Sequence, residues 1–446
     1  LVAAERDAAA AAAAAAGGGG GAGSMASDVA KLAELKGAWP NNIAVQTFDL
    51  AYFKSLQAGE QAGLLKCLQS GIQNPDSSMG CYANQPSDYD RFKPFFSRAL
   101  ARYHGVGEGA RHESDWSLPA GVSYDVSSLG LGALSMRTRV GRNLADFPLP
   151  ASMSRAERVA LEAKMSAAFD VLISMPEYGG AYHSITPGHP SCISEAEYGR
   201  LVGEHVMFKD MSADPYLVSA GIAADWPYGR GVYVSGDGGF IIWVGEEDHL
   251  RIMCMARSTR VESVFNRLKV ALDVVNGIPG LRFAFSPDYG NVTSCPTNLG
   301  TGMRSSVHIA LPSLTRDGTD ARAKAVCRPL GLSVRGLGGE HTPIGPDGTV
   351  DISPSARFCI KERDIIAKLF EGLSRLVAAE RGAADTADIA ATAIEAAMRG
   401  HLGRKKVDAI QAAQLAAQSA GATAGADAAA AAAGAGGAEA VATAGA

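Results

Sequence analysis

Between Ser294 and Ala310 the chain reads Ser-Cys-Pro-Thr-Asn-Leu-Gly-Thr-Gly-Met-Arg-Ser-Ser-Val-His-Ile-Ala, which sets the thiol of Cys295 in a glycine-punctuated turn ahead of a cationic strand. From Arg304 onward the residues alternate. Arg304, Ser306 and His308 fall on one side and Val307, Ile309 and Leu311 on the other, the period of two that marks a strand with unlike faces. The pattern recurs where Ser135, Arg137 and Arg139 oppose Leu134, Met136 and Val140, where Arg251 opposes Leu250 and Ile252, and where Arg335 opposes Leu332 and Val334. If these strands share one sheet, Arg137, Arg139, Arg251, Arg304 and Arg335 gather on one face. A guanidinium stays charged near neutrality and donates through a planar fork, so such a cluster calls for an anion rich in oxygens. A nucleoside triphosphate meets that description.

Carboxylates stand close to this cationic face in the sequence. Glu246, Glu247 and Asp248 occupy the turn of a hairpin predicted from Phe240–Val244 and His249–Met255, and Glu340 follows Arg335 in Gly338-Gly339-Glu340-His341. An acidic turn alone is ordinary surface. Among phosphate-binding arginines, carboxylates would repel a nucleotide unless they face a second, cationic substrate. Cys295 would most often be a buried thiol; a neighbouring hydroxyl such as that of Thr297, or a cation, would lower its pKa. Other phosphoryl-transfer signatures are missing: there is no G-x-x-x-x-G-K-[ST] loop and neither an H-R-D nor a D-F-G word. Gly130 and Gly132 lack the third glycine of a dinucleotide fingerprint, and the nine histidines show no metal-ligand spacing; His183 and His189 read as plain surface residues of a loop.

The elements that must carry these groups follow from composition and breakers. The chain has 446 residues and a net charge of -5, so no overall basic field draws it to nucleic acid or an anionic membrane. Seven scattered cysteines without a C-x-x-C pair argue against a disulfide framework or a structural zinc, and a reducing cytoplasmic compartment fits them. No apolar stretch reaches the length of a membrane span. Residues 1–27 are alanine- and glycine-rich and read as linker. In residues 28–118, short amphipathic segments split by Pro40, Pro75 and Pro86 predict a small helical domain. Its loop Asp76–Tyr82 offers hydroxyls and amides suited to a carboxylate-bearing small molecule, against the default reading of such turn formers as surface. Residues 119–380 alternate strands with helices. One helix opens on the capping box Ser154–Glu157, one is defined by Val261, Val264, Phe265, Leu268, Leu272 and Val275 and stopped by Gly277 and Pro279, and the last is defined by Ile365, Ile366, Leu369, Phe370, Leu373 and Leu376. Residues 381–446 form a second alanine- and glycine-rich tail, with Gly382–Gly400 a candidate for weak helix. The words Leu1-Val-Ala-Ala-Glu-Arg6 recur at Leu376–Arg381, which predicts one unit of a tandem array in which residues 1–24 are the tail of a preceding, covalently linked unit.

At the level of whole words the sequence resembles the phosphagen (ATP:guanido) kinase family, and within it the arginine kinases. The matching words are Ser135–Arg142, Trp226–Tyr233, Trp243–Ile252, Cys295–Thr301 and Val334–Thr342, within a resemblance spanning about residues 28 to 378. It implies an α+β fold, a small all-α N-terminal domain followed by a larger domain of antiparallel sheet flanked by helices. It also implies reversible transfer of the γ-phosphoryl group of ATP, bound as MgATP, to a guanidine nitrogen, giving an N-phosphate and ADP. Carried over by motif, Ser135, Arg137, Arg139, Arg251, Arg304, Ser306, His308 and Arg335 would surround the nucleotide, with His205 against the nucleoside. Glu247, Cys295 and Glu340 would hold the guanidino group, and Ser78, Met79, Gly80 and Tyr82 would close over the other end of the substrate. Gly245 stands where asparagine is common, Met79 and Cys81 replace aliphatic residues, and Gly338 stands where arginine kinases usually carry arginine. Taurocyamine, lombricine or creatine as substrate, a protein-arginine kinase, and a catalytically weak scaffold unit are the alternatives.

Overall fold

The structure, a computed structural model, describes residues 22–337 and 342–399, with side chains from 24 to 384 outside the interruption. Six helices form the N-terminal part: α1 (Ala22–Ala38), α2 (Ile43–Thr47), α3 (Leu50–Ser55), α4 (Ala58–Gln73), α5 (Asp88–Arg91) and α6 (Lys93–His104). Side-chain caps fix where the short ones begin. Asn42 Oδ1 accepts from Val45 N at 3.1 Å, and Asp49 Oδ1 accepts from Ala51 N and Tyr52 N at 2.8 and 3.1 Å. Helix α6 stops where Gly105 turns left-handed at φ 66°. Leu64, Leu65, Leu68, Phe92, Phe95 and Phe96 close the core between the helices. The first helix starts inside the stretch expected to be linker. Alanine is the strongest helix former, and Met25 and Val29 give the helix apolar contacts with the helical core.

The larger part comprises β1 (Leu134–Arg142), α7 (Arg155–Ser174), β2 (Ala181–Ser184), α8 (Glu195–Gly203), α9 (Pro215–Ser219), β3 (Gly231–Val234), β4 (Phe240–Val244), β5 (Leu250–Ser258), α10 (Val261–Gly277), β6 (Phe285–Ser286), β7 (Gly290–Asn291), β8 (Met303–Ala310), α11 (Ala321–Cys327), β9 (Leu332–Arg335), β10 (Thr349–Pro354) and α12 (Glu362–Arg399). Strands β6 and β7 pair with each other, and the rest form one antiparallel sheet of eight strands in the order β2-β3-β4-β5-β1-β8-β10-β9. The expected α+β architecture is what is seen.

Both faces of this sheet are covered, by different partners. Met136, Val140, Ile252, Val307, Val334 and Ile352 belong to a core shared with residues of α7, α10 and α12. Val232, Ile241, Trp243 and Met253, from the opposite face, join the core of the helical domain. The arginine-bearing positions lie on this second face, which therefore points toward the helical domain. Helix α12 runs beyond residue 380 into the stretch read as a candidate for weak helix, and its last described contacts are specific. Glu380 accepts from Ser313 N and Leu314 N at 2.7 and 2.9 Å, Arg381 donates to Leu129 O at 2.5 Å, and Ala383 packs on the core. Among the described residues, no helix is long and apolar enough to cross a membrane.

Candidate active site

Strand register brings the arginines together. Arg139 pairs with Arg304, Arg137 with Ser306 and Ser135 with His308 across β1 and β8, while Gly141 faces Arg251 across β1 and β5. Through β10, Asp351 faces both His308 and Arg335. Since paired residues in an antiparallel ladder share a face, all five arginines project from one side of the sheet. This side is less solvated than a bare amphipathic strand implies: Arg251 and Arg304 are only 8 % and 7 % exposed, and Arg137, Arg139 and Arg335 half-buried. Arg304 packs against Asp351 and Arg251 against Glu246 and the Trp243 ring, neighbours that a strand pattern does not reveal.

Crowding and burial work against the charges. Burial, with Arg251, Arg137 and Arg304 close by, holds Arg139 well below the usual guanidinium range, and burial alone is the main cause for Arg137. Arg304 falls to about 9, chiefly through burial, with Arg335, Arg357 and Arg137 adding to it against Asp351. Arg304 Nη2 lies 2.6 Å from Asp351 Oδ2, and His308 Nε2 lies 3.6 Å from Asp351 Oδ1. Burial would raise Asp351, yet Arg304 and Arg137 hold its carboxyl below the usual range. The buried Arg304 Nε and Asp351 Oδ1 have no hydrogen-bond partner. Desolvated, mutually repelling cations form a site whose charge a polyphosphate would balance, and Arg304 Nε is a donor left for it. Asp351 was not singled out from the sequence. Its signal was an acidic residue alternating between Val350 and Ile352 on a strand.

The carboxylates sit at the edge of this face. Gly245 opens their turn at φ 75°, and a Cβ there would run into the Gly229 carbonyl, so the residue common elsewhere at this position would be strained here. Arg251 Nη2 is 2.8 Å from Glu246 Oε2 and 3.7 Å from Glu247 Oε2, and its guanidinium stands 5.5 Å from the Trp243 ring centroid. Asp248 is structural: its Oδ1 accepts from Ser294 N and Asn143 Nδ2, both at 2.7 Å, and so fastens the acidic turn to the Cys295 loop. Glu247 links the acidic turn to the residues after Cys295. It accepts from Asn298 Nδ2 at 3.2 Å, and burial beside Glu246 and Asp248 pushes it up to about 8.

Cys295 is 2 % exposed, its Sγ 3.1 Å from Thr297 Oγ1. The expected lowering of its pKa does not occur. Burial and then Glu247 push the thiol well above its ordinary value, outweighing Thr297, so in this arrangement the group is an uncharged thiol.

The loop ahead of Tyr82 is no surface segment. Ser78 O and Met79 O accept from Ile43 N and Ala44 N at 2.8 and 3.0 Å, Gly80 O accepts from Gly71 N at 2.8 Å, and Ala83 N donates to Ser294 O at 2.8 Å. Met79, Cys81 and Tyr82 are buried, while Ser78 Oγ is buried without a partner. The loop thereby reaches the Cys295 turn from the helical domain. Burial, then the nearness of Cys295 and Glu247, raises the Tyr82 phenol, which places that ring beside the pair. His205 is exposed, at φ 59° just past α8; the next residue, Val206, accepts from Trp243 Nε1 at 2.6 Å, which sets His205 close to the Trp243–Arg251 end of the cationic face. Glu340, with Gly338, lies outside the described residues.

Comparison with known proteins finds two family models on this chain: the ATP:guanido phosphotransferase C-terminal catalytic domain over residues 160–383 and the N-terminal domain over residues 50–99. An arginine kinase of Polybetes pythagoricus is 33% identical over 331 residues, covering 74% of this chain and 89% of that protein. The duplicated taurocyamine kinase of Schistosoma mansoni, solved with bound transition state analog components, superposes with a TM-score of 0.66 at 30% identity over 79% of this chain and 48% of its own, so this chain matches about half of it. A crystal structure of lombricine kinase superposes with a TM-score of 0.67 at 26% identity, covering 76% of this chain and 92% of that one.

Proposed function

Because the chain belongs to the ATP:guanido phosphotransferase family and is therefore a phosphagen kinase, we propose that it transfers the γ-phosphoryl group of MgATP reversibly to the guanidino group of arginine, giving phosphoarginine and ADP. The observation that carries this reading is the adjacency of an arginine-lined sheet face to the buried Glu247 and Cys295, which provides for a polyanion and a planar cation side by side.

In this reading Arg137, Arg139, Arg251, Arg304 and Arg335 bind the phosphates, with Ser135, Ser306 and His308 along the same face and His205 toward the nucleoside. Asp351 steers the Arg304 fork. Magnesium enters as part of the nucleotide substrate and neutralises charge on its phosphate oxygens. Transfer passes through a loose, in-line transition state, so holding the two substrates on one axis and compensating charge does most of the work. Glu247 accepts hydrogen bonds from the guanidinium, and Glu340, in the role carried over by motif, does the same. The attacking nitrogen gives up one proton to a carboxylate as its N–P bond forms and the bond from phosphorus to the ADP oxygen breaks. Cys295 orients the guanidino group through its sulfur and forms no covalent bond.

Arginine is preferred over creatine because a carboxylate at position 340, in the role carried over by motif, would go unpaired if it faced an N-methyl group. The loop Ser78–Tyr82, with the unpartnered Ser78 Oγ, would receive the carboxylate end. A coupled ADP-release assay against arginine, taurocyamine, lombricine and creatine tests the assignment. Arginine should be turned over fastest; creatine at a comparable rate would overturn it.

A further inference from the structure

Helix α6 ends on His104, which crosses from the helical domain to the turn that carries Cys295. Its Nε2 lies 3.0 Å from the carbonyl oxygen of Pro296. A carbonyl only accepts, so Nε2 bears the hydrogen and Nδ1 of the neutral ring is bare. Aromatic neighbours fix the ring plane: Tyr103 stands edge-on at 4.8 Å and Phe358 is tilted at 5.5 Å. The titratable groups around it are Tyr103, His112 and Arg357. Burial, aided by Arg357 and His112, lowers the imidazole to about 4, so it stays uncharged across the physiological range.

What His104 holds is the first residue of the short turn Pro296–Asn298. The next two residues aim their polar atoms into the proposed guanidino pocket: Thr297 Oγ1 meets Cys295 Sγ at 3.1 Å, and Asn298 Nδ2 donates to Glu247 Oε2 at 3.2 Å. Within the turn itself the Pro296 carbonyl accepts from Leu299 N at 3.3 Å, a long bond. The imidazole is the shorter tie, and it comes from the domain that also supplies the Ser78–Tyr82 loop. We infer that His104 is a positioning residue for the guanidino pocket, its Nε2–H holding the Pro296 carbonyl so that Cys295 and the Asn298–Glu247 pair keep their places relative to the helical domain. This rests on reading Cys295 and Glu247 as the groups that hold the guanidino substrate.

His104→Phe keeps the ring contacts and removes the donor, while His104→Gln offers an amide N–H at similar reach. In the phenylalanine variant kcat should fall or KM for the guanidino substrate rise by about tenfold, as expected for a reacting group displaced by a fraction of an ångström, with KM for MgATP within about twofold. The glutamine variant should recover most of the loss. A second readout needs no turnover: with Cys192 and Cys359, both exposed, changed to serine, iodoacetamide should reach Cys295 faster in His104→Phe than in its parent. In the unaltered protein, nitrogen NMR should show His104 protonated at Nε2 and bare at Nδ1. An active parent whose phenylalanine variant matches it in both kinetics and alkylation overturns the inference, as does the opposite tautomer. Equal losses for both substrates with a lowered Tm also overturn it, since they mark a purely structural role. A parent inactive toward every guanidino compound would instead sink the functional reading, and the alkylation rates and tautomer would still decide whether His104 holds the turn.

Discussion

Glu247 gives the sharpest test at the level of single residues, because its environment sets two opposite dependences on pH. Burial beside Glu246 and Asp248 raises it from an ordinary 4.5 to about 8, so ionising it works against the fold. The stability it contributes is whole below about 4.5 and is lost as pH rises to about 8. A bound guanidinium reverses the preference by favouring the carboxylate. Substrate binding at pH 7 should therefore release protons, seen as a dependence of calorimetric enthalpy on the ionisation heat of the buffer, and KM should fall as pH approaches 8. Glu247→Gln should abolish the proton release; an unchanged release would place the titrating group elsewhere. Cys295 and Arg304 should part company in kind. Cys295→Ala should reduce turnover strongly without abolishing it, since water can replace part of an orienting thiol. Arg304→Ala removes a guanidinium from a desolvated site, at several kcal/mol of transition-state stabilisation, about 2.7–4 in comparable cases. Equal residual activities would contradict this division.

At the scale of elements, the Ser78–Tyr82 loop and the sheet register carry the account. Gly80 sits at φ 69°, and a Cβ there would collide with Asn42 Oδ1, the atom that caps α2. Gly80→Ala should cost about 1–3 kcal/mol through backbone strain, measured by denaturant unfolding, and should raise KM for the guanidino substrate while sparing that for MgATP. A shift in MgATP binding alone would place the loop on the wrong substrate. Much of this was legible in sequence, because a period of two assigns faces without reference to depth. Arg137, Arg139 and Arg304 were readable as one face for that reason. Depth was not legible: nothing local in β8 says that Arg304 is buried against Asp351, with Arg335, Arg357 and Arg137 close by. The charge environment of Cys295 was not legible for the same reason: the charged group closest to it in effect is Glu247 and not one of the arginines. Asp351 passed as an ordinary polar residue because its partner, Arg304, is 47 positions away in the chain. His104 gave no sequence signal, as its role depends on where α6 ends.

For the molecule as a whole, the last described contacts of α12 come from Glu380, Arg381 and Ala383. A chain of residues 22–384 should keep the Tm and activity of the full sequence, while one ending at residue 379 should lose the carboxylate that accepts from Ser313 N and Leu314 N, a cost of about 1–3 kcal/mol. Equal Tm values for the two would show that the end of α12 contributes nothing. Acid should destabilise the whole. His104 is half-buried, His112 and His249 are buried, and all three are lowered to about 4, so the stability they confer is present above 6.5 and lost as pH falls toward 4. The claim that joins all scales is that the cationic sheet face and the Glu247–Cys295 pocket are two halves of one phosphoryl-transfer site. Phosphorus NMR of the protein with MgATP and arginine tests it most directly. The γ-phosphate signal should be lost as one N-phosphoryl resonance grows, in step with ADP and without orthophosphate. Release of orthophosphate in place of the N-phosphate, or ATP left intact, would contradict it.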